Sequence, residues 1–287
     1  MTTQARRVRI ERAVDHINRH YAQALSLDEL AGVACYSGSH FVRAFEAEVG
    51  EAPFELLRKR RLYAAAYRLL GRAPNGELLA EACGFAHASS FSRGFRQQFG
   101  MSARDWRYGG WQDWAGRQAP DGTPVSDTTD AEYLADALAL PTVLQVLQLP
   151  AQYMVYRRFR GVWGSALIAQ ALAALQTMPD SAQCYGVRHD LLHLRRQQEC
   201  CFDLCVPLAP MQAVPAGLGY VQLAGGLYAA MSLPDGGPYL SWRNLLAGWP
   251  ADHPYTLDPR RPMIEAYQRA QPVRCHTLYL PIQSHPR

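Results

Sequence analysis

With 287 residues, the chain is long enough for two domains, and 48% hydrophobic with 19% charged residues is the composition of an ordinary folded protein. It has no apolar run of about 18 residues, and basic residues without an apolar stretch begin the chain, so we expect neither a membrane span nor a secretory signal. The net charge of +4 is uneven: residues 1–118 carry 17 Lys and Arg against 12 Asp and Glu, and residues 119–287 carry 12 against 13. Seven scattered cysteines indicate reduced thiols in a cytosolic protein rather than a disulfide framework.

The basic part of the chain contains one segment twice. SGSHFVRAFEAEVG at residues 37–50 recurs as HASSFSRGFRQQFG at residues 87–100, with Phe, Arg, Phe and Gly at matching positions. The Leu-Ala dipeptides that precede the two copies are 49 residues apart instead of 50, so the second copy has one extra turn residue. Apolar residues at every fourth position predict an amphipathic helix in each copy, preceded by a short helix and a turn. This arrangement is a helix-turn-helix, and the sequence predicts two of them.

Helix boundaries can be predicted around the first copy. Ser26, three residues before Glu29, predicts a capping box at the start of the short helix, and Gly50 predicts the end of the second helix. Residues 53–71 then form one long predicted helix that connects the copies. The four consecutive basic residues 58–61 in this helix are either phosphate anchors or a solvated face.

The pattern changes after residue 110. Residues 111–140 are rich in Gly, Pro, Asp and Thr and are typical of a linker. Beyond them, alternating apolar segments predict strands, interrupted by the helical segments GSALIAQALAALQTM and SWRNLLAGW. The order strand, helix, strand, strand occurs twice. We therefore predict a multidomain chain, all-α at first and then α+β with two similar halves.

The exposed face of each predicted second helix is available for a partner, because the phenylalanines of the other face are buried. Arg43 and Arg93 occupy equivalent positions on that face, where arginine can contact guanine edges or phosphates in a major groove. The alternative is that both arginines are solvated or paired within their own domain. If the long helix holds both units rigidly, one subunit can enter successive major grooves about 34 Å apart. The predicted DNA-binding residues are Ser39, His40, Val42, Arg43, Ala88, Ser89, Ser90, Ser92, Arg93 and Arg96.

Residues 8–108 closely resemble the double helix-turn-helix domain of the AraC/XylS family of transcription regulators. The matching segments are LSLDELAGVACYSGSHFVRAF and LLAEACGFAHASSFSRGFRQQFGMSARDWR. The second segment departs from the family at Ala103, where the family usually has proline. Ser39 and Ala88 stand where close relatives place Trp and Gln, which affects the DNA sequence recognised. The resemblance implies a cytoplasmic, nucleoid-associated regulator that binds double-stranded promoter DNA as a monomer and contacts RNA polymerase.

The order of the two parts resembles the Rob-type regulators, whose second domain is a GyrI-like effector-binding domain. This weaker resemblance rests on the segments LPAQYMVYRRFRGVWG, RRQQECCFDLCVPL and PMIEAYQ. It implies a DNA-binding domain at residues 1–110, a linker at 111–140 and a GyrI-like domain of two pseudo-symmetric halves at 141–287. In that class, a cavity with aromatic walls and a buried carboxylate takes up hydrophobic or cationic molecules, as in multidrug sensing. The implied effector-binding residues are Glu265, Trp163, Tyr239 and Tyr267.

Other interpretations of the second part remain open. Glu265 is alternatively a structural carboxylate, or the general base of a GyrI-like domain that hydrolyses small electrophiles, and the domain is alternatively a ligand-free stabiliser or interaction surface. No nucleophile and base have recognisable spacing, so we expect no enzyme and no cofactor. Cys200, Cys201 and Cys205 with His193 lack metal-ligand spacing, and we expect buried thiols and no metal.

Overall fold

The chain folds into a helical part and a sheet part, as the sequence predicts. The computed structural model describes residues 3–70, 76–111, 114, 144–161, 165–189, 200–209, 212–233, 242, 245, 254–270 and 273–284. The predicted linker lies outside these residues, except for Trp111 and Trp114.

The described helical part has seven α-helices, none of them long and apolar enough to cross a membrane. They are α1 Thr3–His20, α2 Leu27–Val33, α3 Gly38–Val49, α4 Pro53–Arg68, α5 Gly76–Ala82, α6 Ala88–Phe99 and α7 Ala103–Asp105, and a π-helical turn, Trp106–Gly110, follows α7.

The duplication in the sequence is a duplication in the structure. Helices α2 and α5 have 7 residues each, and α3 and α6 have 12 residues each. The connection between α5 and α6 is one residue longer than that between α2 and α3, so the insertion lies in the turn, as predicted. Helix α4 contacts both α3 and α6 and therefore supports both second helices.

The two turns share one backbone arrangement. The Tyr36 amide donates to the Ala31 carbonyl at 2.8 Å, and in the second copy the Phe85 amide donates to the Ala80 carbonyl at 2.9 Å. This turn requires a left-handed residue, which is Gly84 in the second copy (φ +85°) and Cys35 in the first (φ +53°). Glycine adopts this conformation without the steric cost that a side chain adds, so the first copy carries a local strain that the second lacks.

The predicted capping box at α2 is only half formed. The Ser26 hydroxyl accepts a hydrogen bond from the Glu29 amide at 3.1 Å. The Glu29 carboxylate does not accept the second capping-box hydrogen bond, from the Ser26 backbone amide, because it lies 2.7 Å from Nε2 of His16 on α1. The side chain that would close the box instead connects α1 to α2.

The described sheet part is one antiparallel sheet with a helix on it. Its order is β1-β6-β9-β8-β3-β4-β2-β5, and β7 pairs with β9. The strands are β1 Gln145–Leu149, β2 Gln152–Gly161, β3 Gln183–Arg188, β4 Cys200–Pro207, β5 Gly219–Leu223, β6 Gly226–Ser232, β7 Tyr255–Leu257, β8 Met263–Gln268 and β9 Arg274–Ser284, and α8 Ser165–Ala173 follows β2.

The two halves are arranged symmetrically about the central pair β3 and β8. From this pair the order runs outward through β4, β2 and β5 on one side and through β9, β6 and β1 on the other. In the first half, β2, α8, β3 and β4 follow the predicted order of strand, helix, strand and strand, and β5 is an additional strand. The second half adds β1 and β7, and its described helical residues are Trp242 and Leu245.

Alternation along the strands gives the sheet two faces. The helix face lies under α8, which contacts β2 and β4, and carries Phe202, Leu204 and Tyr267. The inner face carries Met154, Tyr156, Val187, Cys205 and Ile264.

The sheet curls around its inner face. Leu223 of β5 and Tyr228 of β6 come from opposite sides of the strand order, yet both line one cavity. The β5–β6 turn also approaches the β1–β2 turn, since a Cβ added to Gly225 would lie 2.5 Å from the Ala151 nitrogen. The result is a half-barrel with a concave inner face.

Replacing Gly84 with alanine should destabilise the helical part. An added Cβ would lie 2.9 Å from the carbonyl oxygens of Tyr21 and Ala22, in addition to the left-handed strain. We expect the free energy of unfolding to fall by about 2 kcal/mol, as measured by urea unfolding and circular dichroism. Gly32→Ala is the matched control: it lies within α2 with nothing within 4 Å of the added Cβ, so a gain of about 0.5–1 kcal/mol is expected. Equal stability of the two variants would contradict this explanation of the turn.

Candidate nucleic-acid interface and buried polar sites

The packing of α3 and α6 determines which of their side chains face outward. Phe41 and Phe45 are buried with their ring centroids 5.4 Å apart, and Phe91 and Phe95 repeat the contact at 5.5 Å. Because these rings occupy one face of each helix, the polar residues between them lie on the other.

The structure places all ten predicted DNA-binding residues on the surface of the two second helices or at its border. Val42 and Ala88 are half-buried, and the other eight are exposed: Ser39, His40, Arg43, Ser89, Ser90, Ser92, Arg93 and Arg96. Among the described residues, neither Arg43 nor Arg93 has an ion pair or a side-chain hydrogen bond. Both guanidinium groups are therefore available for an anionic partner.

The basic run of α4 is engaged within the protein, which neither interpretation of the sequence anticipated. Arg58 pairs with Glu55 at 2.7 Å, and Lys59 pairs with Glu51 at 2.8 Å. Two further arginines bond backbone carbonyl groups: Arg61 reaches Tyr21 at 2.7 Å and Gln23 at 2.8 Å, and Arg60 reaches Pro259, in the sheet part, at 2.6 Å. The Arg60 and Arg61 contacts hold α4 to its neighbours, and all four basic side chains have partners, so the charges of the run are not available in the way that those of Arg43 and Arg93 are.

On the helix face, Glu265 of β8 is fully buried and accepts hydrogen bonds from three side chains of the described residues. The Trp242 Nε1 group donates to Oε1 at 2.7 Å, the Tyr267 hydroxyl donates to Oε2 at 2.5 Å, and Arg188 Nε also donates to Oε1. Burial, and then the charge of Glu265, raises the pKa of Tyr267 well above its usual range, so this hydroxyl remains a donor. The carboxylate is thus neutralised by a guanidinium within its own domain.

The predicted effector-binding residues are only partly brought together. Glu265 and Tyr267 are in contact, whereas Trp163 and Tyr239 lie outside the described residues. Sequence reasoning missed Arg188 and Trp242, and the register explains why: Arg188 pairs with Met263 across β3 and β8, 75 positions along the chain. Only the pairing of the two central strands brings Arg188 next to Glu265, and Trp242 reaches Glu265 from outside these strands.

A buried polar cluster joins the helical part to the inner face of the sheet. Arg158 of β2 donates to Asp15 of α1 at 2.6 Å and to Asp203 of β4 at 2.6 and 2.7 Å. The Tyr156 hydroxyl donates to Asp15 at 2.6 Å, and Nε2 of His189 lies 2.7 Å from Asp203. Asp15 therefore anchors the first helix of the helical part on the concave face of the sheet.

The charges within this cluster stabilise one another. Burial alone would raise the pKa of Asp203, but the Arg158 guanidinium and the His189 ring hold it well below its usual range. The pKa of Arg158 rises well above normal, since Asp15 and Asp203 outweigh the effect of its burial. Both partners therefore remain ionised at neutral pH.

The same residues are not an open metal site. Asp15, His189 and Asp203 have ligand atoms within 4.8 Å of one another, but the Arg158 guanidinium lies between the two carboxylates. The cysteine cluster considered in the sequence is partly described: Cys201 and Cys205 are buried, and burial raises the pKa of the Cys205 thiol well above normal. His193 lies outside the described residues.

Asp203→Asn should weaken the attachment of the two parts in a pH-dependent way. We expect the variant to lose about 3 kcal/mol of unfolding free energy at pH 7, because a buried ion pair loses one partner. The folded-state pKa of Asp203 is depressed, so its contribution is fully present above its unfolded pKa of about 4 and is lost as the pH falls further. Urea unfolding at pH 7, 5 and 3 measures the difference, which should be smaller at pH 3 than at pH 5. Glu46→Gln, at an exposed position of α3, is the control; an equal loss in both variants would rule out this role.

Comparisons with known proteins agree with the geometry of the helical part. Residues 30–108 match the family model of a helix-turn-helix domain. A probable transcriptional regulator, LumQ of Photobacterium leiognathi, is 31% identical over 94 residues, which are 33% of this chain and 38% of LumQ. A putative AraC-like transcription regulator of Streptomyces antibioticus is 32% identical over 96 residues, or 33% of this chain and 31% of the relative. The chain thus spans well under half the length of these relatives.

The sheet part has a weaker likeness to a solved structure. The EcmrR C-terminal domain matches 50% of this chain and 99% of its own, at 11% identity and a TM-score of 0.40. These values assign no function to the sheet part. The helix-turn-helix match and the two regulators together identify residues 30–108 as an AraC/XylS-family helix-turn-helix domain, homologous to those of transcription regulators.

Proposed function

We propose that the protein is a sequence-specific DNA-binding transcription regulator that acts through α3 and α6. The observation that carries the proposal is the pair of equal second helices, each with a buried phenylalanine face and an exposed arginine without a partner among the described residues. Helix α4 supports both, so their relative placement is fixed by packing. Two helices that enter successive major grooves would let one subunit bind a complete site.

The exposed residues of α3 and α6 offer two kinds of contact to DNA. Arg43 and Arg93 supply charge and bidentate donors, suited to guanine or phosphate. The serines of α6 are short donors and acceptors that fit close approach to bases or backbone. The second helices therefore differ in detail, and a binding site for one subunit would have two unlike halves.

Arg43→Ala and Arg93→Ala should each weaken binding to a selected DNA site by about 1–3 kcal/mol if the arginine contacts a base. The site would first be obtained by genome-wide mapping of bound DNA, and affinities would be measured by fluorescence anisotropy. Arg12→Ala removes the same charge from an exposed position of α1 and is the matched control.

Random DNA separates the possible outcomes. A loss on the selected site alone indicates base contact, whereas an equal loss on random DNA indicates a phosphate contact. If neither arginine variant binds DNA less tightly than Arg12→Ala, α3 and α6 are not the DNA-binding surface.

The second part of the proposal is that the sheet part binds a hydrophobic or cationic effector at Glu265. A buried carboxylate beside Trp242 and Tyr267 combines charge with aromatic surface, which suits a lipophilic cation. Arg188 holds the carboxylate in the absence of such a molecule, so a cationic effector must compete with Arg188. Binding would then change the packing of the helix face.

A lipophilic cation such as tetraphenylphosphonium should raise the melting temperature of the protein, and neutral triphenylphosphine oxide should not. Glu265→Gln should abolish the shift, because the variant keeps the shape of the side chain without its charge. Circular dichroism shows whether the variant is folded, and Tyr267→Phe, which leaves the charge in place, should retain most of the shift. Equal shifts with both compounds would contradict a charge-based site at Glu265.

A further inference from the structure

The concave inner face holds a cavity that is separate from the Glu265 cluster. The cavity has a volume of about 200 Å³ and is lined by residues of β1, β2, β3, β5, β6, β8 and β9 and of the two turns that meet across it. Ile264, which lines the cavity, and Glu265 are neighbours on β8 and point to opposite faces of the sheet. A molecule in this cavity would therefore not touch Glu265.

The walls of the cavity are apolar and aromatic. Met154, Leu223 and Ile264 are buried lining residues, and Tyr228 and Tyr279 meet edge to face, with centroids 6.4 Å apart and planes at 86°. Among the described residues that line the cavity, none carries a formal charge. An ion placed here would lose its hydration without gaining a counter-charge, whereas an apolar ring would gain contacts on several sides.

One charged side chain lies behind the aromatic wall of the cavity. Arg261 lies over the Tyr228 ring, 4.8 Å from its centroid. Its guanidinium donates to Asp258 at 2.9 Å and to the Ile282 carbonyl at 2.6 Å. Arg261 shares Asp258 with Arg260, so its charge is not fully compensated and disfavours a cation in the cavity. Arg261 is not among the described lining residues, so it offers an anion no direct contact.

A few polar groups are in place to orient a ligand. The Tyr185 hydroxyl donates to Gln183 at 2.9 Å, and the Tyr228 hydroxyl makes a long bond of 3.3 Å to the Ala224 carbonyl. Within the described part of the chain, the Tyr279 hydroxyl and the Gln152 amide have no hydrogen-bond partner. A neutral ligand with one hydroxyl or amide group could bond both.

We propose that this cavity binds a small, neutral aromatic molecule with one hydrogen-bonding group, held by the Tyr228–Tyr279 corner and oriented by the Tyr279 hydroxyl and Gln152. The size fits, because an apolar protein cavity of about 150 Å³ is large enough for benzene. The site is distinct from the Glu265 cluster in position, charge and ligand class.

Benzyl alcohol, benzylammonium and benzoate form a matched set of probes with the same ring and different charges. We expect benzyl alcohol to bind the full-length protein with a dissociation constant of about 0.1–1 mM. The two ions should bind in this cavity at least about tenfold more weakly, because the described lining residues supply no counter-charge. Titration followed by methyl NMR measures affinity and location together.

The methyl groups supply an internal control for location. Met154 and Ile264 line the cavity, whereas Met263 is buried on the helix face one residue from Ile264. Benzyl alcohol should shift the Met154 and Ile264 signals and leave Met263 unchanged. Shifts at Met263 alone would place the ligand on the Glu265 side and overturn the proposal.

Three variants test the walls. Ala224→Trp adds a ring at an exposed position on the rim, and we expect at least a tenfold loss of affinity; Tyr279→Phe should cost about fivefold. Tyr220→Phe changes an exposed tyrosine that stacks on Tyr153 at 5.6 Å, away from the cavity, and should have no effect. Unchanged affinity in both Ala224→Trp and Tyr279→Phe would overturn the proposal, and so would benzylammonium shifting the Met154 and Ile264 signals at concentrations as low as those at which benzyl alcohol does.

Discussion

The burial of one phenylalanine face on each second helix is the constraint on which the candidate interface depends. Phe41 and Phe45, and their counterparts Phe91 and Phe95, fix the rotation of α3 and α6 about their own axes. Because these rings are buried on one side of each helix, Arg43 and Arg93, which lie on the other side, point away from the core. The same packing attaches both helices to α4, so the spacing of the two arginines follows from the core rather than from surface contacts.

The contact between the two parts is polar where most of the core is apolar. Asp15 reaches from α1 to Arg158 and Tyr156 on the inner face, and Asp203 completes the pairing from within the sheet. A buried ion pair contributes little net stability, because desolvation offsets much of the attraction, but breaking it is costly. Such a contact favours one arrangement of the two parts over others that would leave a charge unpaired.

The contact with Asp15 and the cavity both involve inner-face residues of β2. Met154 lines the cavity, and Tyr156 and Arg158, the next two inward residues of β2, bond to Asp15 of α1. The helix face, with Glu265 and Arg188, lies on the other side of the sheet. The sheet thus separates the uncharged cavity and the Asp15–Arg158 contact on its inner face from the Glu265–Arg188 pair on its helix face.

Regular local patterns were predictable, including both helix-turn-helix units, the extra turn residue of the second copy and most strands. Apolar and polar residues do not alternate along β8, because five of its six residues are buried and they lie on both faces of the sheet. For this reason the sequence motif PMIEAYQ did not predict a strand.

The sequence by itself determined which residues form each short-range element, because helix periodicity, caps and turns depend on neighbours along the chain. Tertiary structure alone decided that Arg188 neutralises Glu265, that Arg60 bonds Pro259 and that Asp15 meets Arg158. Each of these contacts joins residues dozens or more positions apart, and only strand pairing and domain packing bring them within hydrogen-bond distance.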